Sequence, residues 1–104
     1  MGRRENLTIR SDRPVANPVV VLKNGPGDWV ILFNPDTTDA VGVNPIGMMV
    51  WKLLDGRHRL EDILQAVEGT FAGVPDSVAG DVAAFIDDLA GRGFVGYELE
   101  DAGR

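Results

Sequence analysis

The sequence predicts an α+β domain of winged-helix-like order, in which a three-stranded antiparallel sheet is followed by three helices. Three observations carry this. Two β-branched runs, NPVVVLK (17–23) and WVILF (29–33), flank the turn cluster NGPGD (24–28), the pattern of a hairpin. From about residue 45 to about 91, apolar residues recur every three or four positions instead of every two, which is helical spacing. The two kinds of segment also fall in separate halves of the chain, whereas a βαβ layout would alternate them.

The first strand is expected over 17–23, with Pro18 near its start, where a missing N–H does least harm. The second is WVILF. After the turn cluster NPDTTD (34–39), AVGV (40–43) completes a meander, weakened by Gly42. Asn44 and Pro45 suit the cap and first position of a helix whose stripe is Ile46, Met49, Val50, Leu53 and Leu54, with Gly56 as its stop and Trp51 off the main stripe. A second helix over about 60–71 aligns Leu60, Ile63, Leu64, Val67 and Phe71. A third, capped by Asp76 or Ser77, aligns Val78, Val82, Phe85, Ile86 and Leu89 and ends at Gly91 and Gly93. FVGYEL (94–99) reads as a last extended segment. The domain is thus expected over 17–99, after a basic flexible tail (1–16) and before a polar tail (100–104).

At 104 residues the chain suits one core. It has no cysteine, which removes disulfides, thiolate metal sites, iron–sulfur clusters and cysteine nucleophiles. No apolar run approaches the ~20 residues of a membrane-spanning helix, and the polar start MGRRENLTIRSDRP lacks the apolar centre of a signal peptide, so the cytoplasm is the expected compartment. The net charge is −6, but residues 1–14 hold Arg3, Arg4, Arg10 and Arg13 against Glu5 and Asp12. The remainder carries six basic and fourteen acidic residues, a net of −8, and repels polyanions.

Residue types with catalytic potential do not converge. His58 is the only histidine, lies in the turn GRHR and is expected to be solvated. Neither Ser11 nor Ser77 has a local motif pairing it with a base. Asp87 and Asp88, adjacent on a helix, point about 100° apart and cannot act as one carboxylate pair. NGPGD is not a phosphate-binding loop. No catalytic residue, metal site or cofactor is expected. A winged-helix DNA-binding regulator has the same outline, but its recognition helix would carry Asp76, Asp81, Asp87 and Asp88 against Arg92 alone, so nucleic acid is not an expected partner. Asp81, Phe85, Asp88 and Arg92, at offsets 0, 4, 7 and 11, form an acidic and apolar flank. Spacing leaves two meanings open: the flank lines a groove, or Phe85 is core and the acids are solvated.

The stretch LFNPDTTDAVGVNPIGMMVWKLLDGRHRLEDILQAV, followed by DVAAFIDDLAGRGFV, resembles the PqqD-like proteins, the peptide chaperones also called RiPP recognition elements. The matching positions are Asn44, the helix to Asp55 and Gly56, Leu60 to Ile63, then Asp81, Val82, Phe85, Ile86, Leu89 and Gly93, within about residues 18 to 97. Each motif alone is a capping or packing pattern; their order and spacing are distinctive. The resemblance implies a non-catalytic protein that binds the leader of a ribosomally made precursor peptide and presents it to a maturation enzyme. In that family the leader adds as a strand beside the third strand, in a groove against the third helix. Carried over by position, the peptide site is Asp39, Ala40, Val41, Gly42 and Val43 on the strand, with Asp81, Ala84, Phe85 and Asp88 on the helix. The long basic N-terminus and the hairpin NGPGDW depart from shorter members and are similar to a subgroup that accompanies radical S-adenosylmethionine maturases. Such an enzyme is therefore an expected partner, the protein itself being a monomer or homodimer. A dimerisation or interaction module without a peptide ligand is the remaining alternative to peptide binding and DNA binding.

Overall fold

A computed structural model describes residues 10–99. Its elements run β1 (Arg10–Ala16), β2 (Val21–Asn24), β3 (Val30–Asn34), β4 (Asp39–Val43), α1 (Pro45–Lys52), α2 (Leu60–Thr70), α3 (Val78–Gly91) and β5 (Val95–Leu99). β2, β3 and β4 form an antiparallel sheet in that order, with β3 in the centre, and β1 pairs with β5 in a separate two-stranded ribbon. The α+β class and the sheet-then-helices order are those the sequence predicts.

Three expectations are corrected. Residues 10–16, expected as the end of a flexible tail, form β1. Its Pro14, Val15 and Ala16 face Tyr97, Gly96 and Val95 of β5, and Ala16 donates its N–H to the Leu54 carbonyl at 2.7 Å. Residues 1–9 and 100–104, the rest of the two expected tails, lie outside the described residues. The strand expected over 17–23 begins at Val21 because Asn17 satisfies its neighbours locally: its side-chain oxygen accepts the Val19 N–H at 3.1 Å and its carbonyl accepts that of Val20 at 3.1 Å. Helix α1 ends at Lys52, ahead of Gly56. Leu53 and Leu54 bond back to Val50 and Trp51, a tightened last turn.

The helix caps follow the sequence unevenly. Asn44 accepts the Gly47 N–H at 2.8 Å, as its residue type predicts. Ser77 precedes α3 but donates its hydroxyl to Asp81 Oδ2 at 3.1 Å instead of capping the helix. The core forms where the helical stripes meet one face of the sheet. Leu32 and Val43 of the sheet are buried with Val50 and Trp51 of α1, Ile63 and Val67 of α2, and Val82, Ile86 and Leu89 of α3. Phe94, wholly buried, closes it after α3. Each such apolar side chain contributes about 1.5–3 kcal/mol when removed from water.

One buried polar residue orients the sheet relative to α3. Asn34, 1% exposed, donates from Nδ2 to the Gly93 carbonyl at 3.0 Å and accepts the Asp36 N–H at 2.9 Å. Gly93 adopts φ +85, which favours glycine, and a Cβ there would stand 3.4 Å from the Asn34 amide nitrogen. This bond holds the β3–β4 turn against the end of α3, with Arg92 one residue before the contact.

Candidate functional site

Hydrogen-bond parity decides which groups β4 exposes. Gly25 donates to the Trp29 carbonyl at 3.0 Å, so Trp29, and by alternation Ile31 and Phe33, turn their main-chain groups toward β2. Val30, Leu32 and Asn34 then bond β4 through their partners Val43, Val41 and Asp39. Ala40 and Gly42 are left with N–H and C=O pointing away from the sheet. Ala40 shows this independently, because both of its main-chain groups meet side chains: its N–H bonds Asp39 Oδ1 at 2.9 Å and its carbonyl accepts Arg92 Nη2 at 3.3 Å. Among the described residues β4 is therefore an edge strand, with one outward residue engaged by side chains, Ala40, and a second outward position at Gly42.

Beside the Gly42 end lies a cavity of about 320 Å³ between the β4–α1 junction and the first half of α3. Ile46 and Val50 of α1 and Val78, Val82 and Phe85 of α3 supply its apolar walls, with the half-exposed Trp29 at its mouth. Gly47 lets α1 approach Val43 closely: a Cβ on Gly47 would stand 3.2 Å from Val43 Cβ, a tight contact, and 3.5 Å from Phe85 Cζ, an ordinary one. Among the described residues Asp81 is the only charged side chain of the lining. A slot of this size and polarity has room for an apolar side chain.

The other end of the edge is occupied by an ion cluster. Arg92 donates from Nε to Asp39 Oδ2 at 2.9 Å and from Nη2 to Asp39 Oδ1 at 3.0 Å, a two-point grip, and from Nη1 to Asp88 Oδ2 at 3.2 Å. The Arg92 hydrogen bond holds the Asp39 carboxyl below its ordinary range, with a smaller contribution from the Ala40 N–H, and the two carboxylates push the guanidinium up in turn.

The nine residues expected at the site thus divide. Gly42, Val43, Asp81 and Phe85 line the cavity. Asp39, Ala40 and Asp88 belong to the Arg92 cluster, so the Asp39 and Asp88 carboxylates already have a cation partner. Val41 shares the core-facing side of β4 with Val43, and Ala84 is exposed outside the cavity lining. Lining residues beyond those expected include Trp29 and Gly47, and also Ile46, Val50, Val78 and Val82, which the sequence shows only as core-stripe positions. His58, expected to be solvated, bonds Asp55 Oδ1 through Nδ1 at 2.9 Å. That bond and the Arg57 N–H hold the Asp55 carboxyl below its ordinary range. Among the described residues no group of three or more His, Asp or Glu is arranged to hold a metal ion, and no helix is long and apolar enough to cross a membrane.

The site, among the described residues, is thus a sheet edge running beside an apolar slot walled by α1 and α3. The family model for coenzyme PQQ synthesis protein D (PqqD) matches residues 30–95, and the chain belongs to that family. Two solved structures are similar. TbiB1 in complex with the TbiA(beta) leader peptide matches with a TM-score of 0.63 at 25% identity, over 78% of this chain and 93% of that one. The heterocyclase TruD matches with a TM-score of 0.56 at 13% identity, over 86% of this chain but 12% of TruD, and shows the fold alone. No curated protein matches the chain.

Proposed function

We propose that the protein is a non-catalytic peptide chaperone that binds the leader of a ribosomally made precursor peptide by strand addition to β4 and presents it to a maturation enzyme. The carrying observation is the juxtaposition of the outward N–H and C=O of Gly42 with the apolar cavity walled by α3. The added strand forms main-chain hydrogen bonds at the edge and seats one apolar side chain between Phe85, Val82 and Ile46. Hydrogen bonds of this kind contribute about 0.5–1.5 kcal/mol each and a buried apolar side chain about 1.5–3 kcal/mol. The similarity to a leader-bound structure supports this reading. A radical S-adenosylmethionine maturase is the enzyme we propose as recipient, on the resemblance of the basic N-terminus and the NGPGDW hairpin to that subgroup.

The test is a selection of random peptides by mRNA display against the full chain, followed by titration of the tightest binder, the probe peptide. Random duplex DNA is titrated beside it. The expected result is saturable peptide binding that Phe85→Ala weakens, with no DNA binding at moderate salt. Failure to enrich any peptide, or DNA binding that falls steeply with salt, contradicts the proposal.

A further inference from the structure

Strand addition needs free donors and acceptors, and β4 presents them unevenly. Both outward groups of Ala40 already have partners, Asp39 Oδ1 at 2.9 Å and Arg92 Nη2 at 3.3 Å, while the cavity lies alongside Gly42. The Ala40 partners are themselves fixed. Arg92 holds Asp39 at two points and Asp88 at a third, so it ties the start of β4 to the last turn of α3 across 53 residues of sequence. The Asn34 bond to Gly93 places that last turn beside β4. A planar guanidinium held by two carboxylates is a rigid obstacle, because moving it breaks several charge-assisted hydrogen bonds together.

We propose that Arg92 is a specificity-determining residue that stops the added strand before Ala40 and thereby fixes the register in which a leader docks. This rests on the strand-addition reading above. Pairing is confined to the Gly42 end, so the leader residue beside Gly42 is the one whose neighbour reaches the cavity. Sliding the end of the leader's extended segment two residues toward Ala40, the smallest shift that keeps the same side chains on the same face, runs it into the guanidinium. Leaders are then selected by the distance between their apolar anchor and the end of their extended segment. This is a constraint that an uninterrupted edge would not impose.

The test uses the full chain and the probe peptide, with amide hydrogen exchange followed by NMR. In the wild-type complex Gly42 gains protection on binding and Ala40 does not. The double variant Asp39→Ala with Arg92→Ala frees both Ala40 groups and leaves the net charge unchanged. In it Ala40 gains protection as well, a nitroxide at the peptide terminus broadens resonances further along β4, and affinity rises about tenfold, the equivalent of one or two added hydrogen bonds. Loss of a merely structural tie would lower stability without moving the label. Equal protection of Ala40 and Gly42 in the wild-type complex overturns the stop without any variant. So does a folded double variant in which neither Ala40 exchange nor the label position changes. Protection of neither amide in the wild-type complex overturns strand addition itself, and the stop with it.

Discussion

The two edges of the three-stranded sheet, β2 (VLKN) and β4 (DAVGV), differ in exposure, in charge and in what surrounds them. All four residues of β2 are exposed, Val21 and Leu22 at 45% and 47%, and the strand carries no acid and a single cation, Lys23, whose Nζ lies 5.3 Å above the Phe33 ring centroid. β4 is flanked by the cavity at Gly42 and by the Arg92 cluster at Asp39 and Ala40. An unpaired edge is by itself a general liability toward other strands. On the proposed reading, the slot beside Gly42 gives the β4 edge its preference for particular sequences, and the Arg92 cluster sets the length of the added strand.

Variants at adjacent β4 residues break this comparison most strongly. Val41 bonds inward to Leu32, so Val41→Pro removes a ladder donor from the sheet, leaves the Leu32 carbonyl without its partner and is expected to cost about 1–3 kcal/mol of stability, read as a fall in the urea midpoint. Gly42 bonds outward, so Gly42→Pro is expected to spare most of that stability while weakening the probe peptide roughly tenfold or more. Equal destabilisation by the two would refute the parity that assigns the edge. Phe85→Ala removes one wall of the slot, and a loss of about 1–3 kcal/mol in peptide affinity by titration calorimetry is the expected result. On the opposite edge, Leu22→Pro removes the outward N–H of β2, and unchanged peptide affinity is expected; a loss matching that of Gly42→Pro would move the docking site to β2.

The smallest expected effect is on acid stability. The Asp39 carboxyl is held below its ordinary 3.8 in the folded protein, so its contribution is fully present above that value and is lost as pH falls through the lower folded pKa. Asp39→Asn should therefore narrow the difference in stability between neutral and strongly acid solution. It should leave the profile above about pH 5 parallel to wild type. A change of slope near neutrality would assign the titration to another group.

Helical periodicity was the most legible layer of the sequence. Val50, Ile63, Val67, Val82, Ile86 and Leu89 are buried as their spacing predicts, because one face of each helix meets the core. Phe85 is half-buried, packs against the core and lines the cavity, at the border between core stripe and flank. β1 was not legible, since RSDRPVA carries three charges and its partner, Val95–Leu99, lies about eighty residues away, beyond the reach of any local pattern. The same distance hid the Arg92 to Asp39 grip. Each residue was noticed on its own element, and only the fold brings the two together. Trp29 was assigned to a strand, and Ile46, Val50, Val78 and Val82 to helix stripes, because a residue that walls a slot and one that fills a core follow the same period.

The distinction between the two edges is tested most directly by amide hydrogen exchange at Gly42 and Leu22, the outward residues of β4 and β2, in the free protein and in its complex with the probe peptide. The account predicts slowing of at least about tenfold at Gly42 and none at Leu22, the equivalent of about 1.4 kcal/mol of added protection. Slowing at Leu22 with Gly42 unchanged would contradict it.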